Sequence, residues 1–82
     1  MLNKLKEASK KTIGTKQTLK ALEKDKVSLV FIALDAEEHV ITNLKEMCVK
    51  KGIETVPVAT MKELGAACGI QVGAASAAIL SQ

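Results

Sequence analysis

Aromatic side chains are almost missing, with one Phe, no Tyr and no Trp in 82 residues. Modules that stack unpaired bases on an open sheet need surface aromatics, and Phe31 lies inside an apolar run. That mode of single-strand binding is excluded. Arginine is absent, so no bidentate guanidinium fork is available for guanine or phosphate. The two cysteines, Cys48 and Cys68, form no CxxC pair and have no His/Cys cluster beside them. A zinc site takes four ligands at close spacing, so no metal and no cofactor is expected, and both thiols read as buried and reduced. No apolar run reaches the roughly 18 residues of a membrane span, and Met1-Leu2-Asn3-Lys4-Leu5-Lys6 lacks a signal-type apolar run. A soluble, cytoplasmic protein with no membrane association is expected.

Catalytic patterns are equally scarce. The one His, His39, flanks a helical stripe and reads as a surface or half-buried structural residue. Ser76 lies in an apolar stretch, away from any nucleophile elbow. Gly14-Thr15-Lys16 is not a phosphate loop, because Ser9 stands where the first glycine belongs and Lys does not follow Gly directly. Asp35, Glu37 and Glu38 are accounted for by a helix start, where carboxylates favour the dipole. No catalytic residue and no small-molecule substrate are expected.

The chain does hold the material for a core, with hydrophobic residues at 48%. Its size suits one small domain spanning residues 1–82. Charge is uneven. Residues 1–26 carry eight lysines against three acids, a net of +5, and residues 27–82 carry four against six, a net of −2. A cationic segment of this kind suits a polyanion.

The elements alternate. Residues 2–11 read as a helix, Thr12-Ile13 as a very short strand or link, and Lys16 to about Lys24 as a second helix. Val27 to Leu34 is nearly all apolar, a strand covered on both faces. Asp35-Ala36-Glu37-Glu38 opens a helix with a stripe at Val40, Ile41, Leu44, Met47 and Cys48, closed by Lys50, Lys51 and Gly52. Ile53 to Ala59 reads as a strand near a sheet edge, since Pro57 cannot donate to a ladder. Thr60 and Glu63 have capping-box spacing at the head of a helix through Cys68, stopped by Gly69. A loop at Ile70-Gln71-Val72-Gly73 leads to Ala74–Leu80. Its alanines favour a helix by propensity, but a small-residue strand mid-sheet would let helices approach on both faces. The predicted fold is α/β, a three-layer α-β-α sandwich on a small mixed sheet of about four strands.

The stretch Gly14-Thr15-Lys16-Gln17-Thr18-Leu19-Lys20 carries the strongest functional signal. Gly14 supplies a turn, and Thr15 is the expected N-cap. At 100° per residue, Lys16, Gln17, Lys20 and Lys24 share one arc, and Thr18, Leu19, Ala21 and Leu22 share the other. A cationic arc beside free helix N–H groups favours an anion. Taken alone, the stretch reads first as an ordinary amphipathic helix with a solvated lysine face.

Two motifs together resemble a known family: Gly14-Thr15-Lys16-Gln17 with Lys20, and Leu64-Gly65-Ala66-Ala67-Cys68-Gly69-Ile70-Gln71-Val72-Gly73. With Asp35-Ala36-Glu37 at a strand end, they are similar to the kink-turn-binding ribosomal proteins of the archaeal and eukaryotic large subunit. The small bacterial YbxF-type members are the most alike. The likeness covers essentially the whole chain. It implies the α-β-α sandwich, and structured RNA containing a kink-turn as the partner: a helix bent at a bulge beside tandem sheared G·A pairs. It further implies that Gly14 and Thr15 let the backbone approach, and that Lys16, Gln17 and Lys20 address guanine edges and nearby phosphates. The Ile70-Gln71-Val72 loop packs on bulged nucleotides, Glu37 lies by a flipped-out base, and Ile41 helps line that pocket. The archaeal and eukaryotic proteins carry Asn-Glu where this chain has Lys16-Gln17. The exchange drops a negative charge and adds a cation, so binding is expected to be more electrostatic and salt-dependent. Lys62 adds a phosphate contact or stays solvated.

The expected function is therefore non-catalytic recognition and stabilisation of kink-turn RNA by a monomer, in a ribosome or another ribonucleoprotein. An alternative is a protein-interaction module of the same fold without specific RNA binding, which the alanine content and moderate charge permit. A nucleotide-using enzyme would need a catalytic pair that these residues do not supply.

Overall fold

The computed structural model describes residues 2–81; Met1 and Gln82, the limits of the expected domain, lie outside the described residues. The elements are α1 (Leu2–Glu7), β1 (Lys11–Ile13), α2 (Thr15–Glu23), β2 (Val27–Ala33), α3 (Glu38–Lys51), β3 (Thr55–Val58), α4 (Met61–Ala67) and β4 (Ser76–Leu80). The sheet order is β1-β4-β2-β3. β4 runs antiparallel to both β1 and β2, and β3 parallel to β2. α2 packs against α3 and α1 against α4, one pair on each face of the sheet. This is the predicted sandwich with its mixed, four-stranded sheet.

The sheet interior follows from side-chain size. β2 is buried along its length except at Ser28, so it needs no polar alternation. β4 lies between β1 and β2, and its small residues face large ones: Ala77 is in register with Phe31, and Ala78 with Val30. Phe31 lies beside Ala77 on one face of the sheet and Val30 beside Ala78 on the other, and all four are fully buried. The strand reading of this alanine-rich segment holds because packing outweighs propensity. β3 forms one edge, which accommodates Pro57.

Three expectations change. The helix expected over 2–11 ends at Glu7, because Lys11–Ile13 pair with Ile79–Ala77 and the sheet takes those backbone groups. Lys11 Nζ then donates to the Leu5 carbonyl at 3.2 Å, which also accepts from Ala8 N at 3.3 Å. α3 starts at Glu38 rather than Asp35, and the Asp35 carboxylate turns to α4, accepting from Met61 N at 2.8 Å. Thr15 is the first residue of α2, and the N-cap is Gly14.

Candidate nucleic-acid interface

Strand directions gather four segments at one end of the sheet. β4 begins where β1 and β2 finish: Ile13 is in register with Ala77, and Ile32 with Ser76. Gly14 N donates to Ser76 O at 2.8 Å, and Ala33 N to Ala75 O at 2.9 Å. β3 ends there too, with Val58 beside Ala33. Residues 14–17, 34–37, 59–62 and 72–75 therefore meet at this pole, and α2, α3 and α4 all begin at it. The Gly14–Lys20 tip and the 70–72 loop, predicted to act together, are brought to the same end.

The three helix starts differ. At α4, the Thr60 hydroxyl accepts from Glu63 N at 3.1 Å and Asp35 takes Met61 N. Half of the expected capping box is thus formed, and the dipole end is occupied from within. At α3, Glu37 is the N-cap, makes no side-chain cap bond and pairs with His39 Nδ1 at 3.2 Å. At α2, Gly14 has φ 100 and ψ 151, a conformation that L side chains rarely adopt, and it has no side chain to cap with. The Thr15 hydroxyl, expected to cap, instead shares a 2.9 Å hydrogen bond with Ser76 Oγ. Ser76 is fully buried, and a buried hydroxyl costs free energy without a partner. The bond ties the first turn of α2 to the first residue of β4. Thr12 and the buried Thr18 make a second such tie through their hydroxyls at 3.1 Å. The first intrahelical bond of α2 is Thr18 N to Gly14 O at 3.0 Å. The N–H groups of Thr15, Lys16 and Gln17 precede it and face outward at the positive end of the dipole.

Lys16, Gln17 and Lys20 are exposed and make no side-chain hydrogen bond or ion pair among the described residues. The 70–72 loop is held against α4. Ile70 N donates to Gly65 O at 3.1 Å, and Ala74 N to Met61 O at 3.0 Å. A Cβ added at Gly65 would overlap the Val72 carbonyl oxygen, so only glycine allows this approach. Ile70 is half-buried and anchors the loop, Gln71 is exposed, and Val72 projects with 71% of its surface exposed. Glu37 is exposed at the same pole, and Lys62 is exposed in the first turn of α4. Ile41, expected to line a base pocket, is only 2% exposed and belongs to the core.

Sequence reasoning missed Leu34. It follows β2 at this pole and is 63% exposed, a second exposed apolar side chain besides Val72. Its signal was faint, a single Leu at the end of an apolar run. Ser76 and Asp35 were also missed as positioning residues, because each acts on a distant segment. The lysines of residues 1–26 do not all gather at the tip. Lys10, Lys24 and Lys26 lie toward the other pole, where Leu80 N donates to Lys10 O and Ser81 N to Lys26 O. The described residues contain no group of three potential metal ligands and no helix long and apolar enough to cross a membrane.

Three comparisons place this geometry among known proteins. A protein named as RNA-binding from Caldanaerobacter subterraneus subsp. tengcongensis is 59% identical over 69 residues, 84% of each chain. The large ribosomal subunit protein eL8 of Halobacterium salinarum is 44% identical over 69 residues, 83% of this chain and 58% of that one. The solved structure of the Giardia lamblia 15.5kD RNA binding protein superposes with a TM-score of 0.88 at 30% identity, covering 99% of this chain and 71% of that one. These names belong to non-catalytic proteins rather than to enzymes. The family model of the ribosomal protein L7Ae/L30e/S12e/Gadd45 family matches residues 1–82, and the chain belongs to that family.

Proposed function

We propose that this protein is a cytoplasmic, monomeric RNA-binding domain spanning residues 1–82 that recognises and stabilises kink-turns. RNA binding follows the family and the names of its relatives. The observation that supports the finer reading is the open start of α2 at the pole that also carries the exposed Val72 and Leu34. A regular A-form major groove is too deep and narrow for side chains. A kink with sheared G·A pairs opens it and bares guanine N7 and O6, both acceptors. The N–H groups of residues 15–17 then face phosphate or base-edge oxygens. Lys16 and Lys20 donate to the same acceptors, and Gln17 both donates and accepts. Gly14 admits the backbone to close range. Val72, with Ile70 and Gln71, covers the faces of bulged bases, and Glu37 accepts from a flipped base. Binding shifts a loose junction toward its kinked form without chemistry.

The test is a gel-shift series on two duplexes, one with the kink-turn and one with its G·A pairs replaced by Watson–Crick pairs. The kinked RNA should bind at least tenfold tighter. Equal affinity would remove the specific claim and leave a general polycation.

A further inference from the structure

The lysines away from the tip have no role in the reading above. Two grooves hold them. One is lined by Thr12, Gln17, Lys20, Lys24, Lys26 and Leu80. The other is lined by Lys10, Asp25, Lys26, Leu80 and Ser81. They share Lys26 and Leu80 and so adjoin there, and together their linings reach from Gln17 near the tip to Lys10 near the opposite pole. Lys10, Lys20, Lys24 and Lys26 are exposed, and none forms an ion pair among the described residues. The Asp25 carboxylate is already held by Lys51 at 2.7 Å. Four unpaired ammonium groups along these two adjoining grooves repel each other and contribute nothing to the core. Lysine offers a compact point charge without a planar fork, which suits backbone phosphate and reads no base.

We infer that this pair of grooves is a second RNA-contact surface, holding the phosphate backbone of a duplex stem that continues from the tip toward Lys10. The direction of the stem rests on the kink-turn reading; the affinity of the groove for duplex backbone does not.

The experiment compares the native chain with Lys10→Gln/Lys24→Gln/Lys26→Gln by fluorescence anisotropy over a salt series. The probes are a kink-turn RNA with a minimal stem, the same RNA with its stem lengthened by about one helical turn, and a plain duplex of equal length. A second triple variant, Lys4→Gln/Lys6→Gln/Lys50→Gln, removes the same charge elsewhere, and thermal melting checks both folds. The native chain should bind the lengthened RNA about tenfold tighter than the minimal one. The groove variant should lose that gain, bind the minimal RNA within about twofold of native, and show a log K against log salt slope shallower by about 2 to 3. The control variant should keep the gain. An unchanged gain in the groove variant, an equal loss on both kink-turn RNAs, or an equal loss of the gain in the control variant would overturn the inference. If the native chain fails to prefer the kink-turn, the kink-turn reading falls separately. The groove is then judged on the plain duplex, where the groove variant must bind more weakly than the control variant.

Discussion

α2 and α4 begin at the same pole, just beyond the ends of the two edge strands β1 and β3, yet their first turns are treated in opposite ways. α4 is closed by the chain itself: Thr60 takes Glu63 N, and Asp35 reaches from the end of β2 to take Met61 N. α2 is left open, because its cap is a glycine and the hydroxyl of Thr15 is diverted to Ser76. Both starts are tied to the rest of the fold, but α4 has two of its first three N–H groups taken by side chains and α2 has none of them so taken. The closed helix supports the loop; the open helix faces outward.

The most severe way to break this division is Gly65→Ala. The added methyl overlaps the Val72 carbonyl, so the loop must leave α4. A loss of about 2–3 kcal/mol of stability is expected from the overpacking, read by denaturant unfolding, together with weakened RNA binding. Retained stability with an undisturbed loop would show that α4 does not support it as described. Next is Lys16→Ala with Lys20→Ala, which strips the cations from the open end. RNA affinity should fall by about 1–3 kcal/mol, roughly 5- to 150-fold, while the melting temperature stays within a few degrees. Unchanged RNA retention in a pull-down would reject the role of the tip. The matching change at the closed end is Thr60→Ala. It should cost about 1 kcal/mol of stability and leave affinity for the folded protein nearly unaltered. A large affinity loss without a stability loss would reverse the assignment of the two ends. The smallest effect lies in the core, away from both. Burial raises the Cys48 and Cys68 thiols above the ordinary 9.0, with Lys11 partly offsetting the rise at Cys68. The folded state then holds those protons more tightly than the unfolded chain. Their contribution is complete below about pH 9 and declines as pH rises through the folded values. Cys48→Ala/Cys68→Ala should show a flatter stability curve above pH 9 than the native chain, and an equally steep curve would assign the decline to other groups.

Much of the fold was legible because its determinants are local. The apolar run over β2, the stripe on α3, Thr60 three residues before Glu63, and Pro57 each declare an element without distant information. The small strand β4 was legible through context, since alanines make sense there only as a mid-sheet layer. What stayed hidden depends on partners far along the chain. Thr15 looks like a cap until Ser76, 61 residues away, is beside it. Asp35 looks like the start of α3 until Met61, 26 residues on, presents its N–H. The end of α1 was overrun because sheet pairing, rather than any residue in 2–11, decides where it stops. Of the candidate site, the tip and loop were proposed from two motifs that resemble a known family, whereas the exposure of Leu34 and the burial of Ile41 required the packed molecule.

The most direct measurement is a titration of the isotopically labelled protein with kink-turn RNA, followed amide by amide in NMR spectra. The open-helix account predicts the largest shifts at Thr15, Lys16 and Gln17 and through residues 70–72, with Glu63 N–H, held by Thr60, moving little. Shifts confined to other faces, or larger at Glu63 than at residues 15–17, would contradict it.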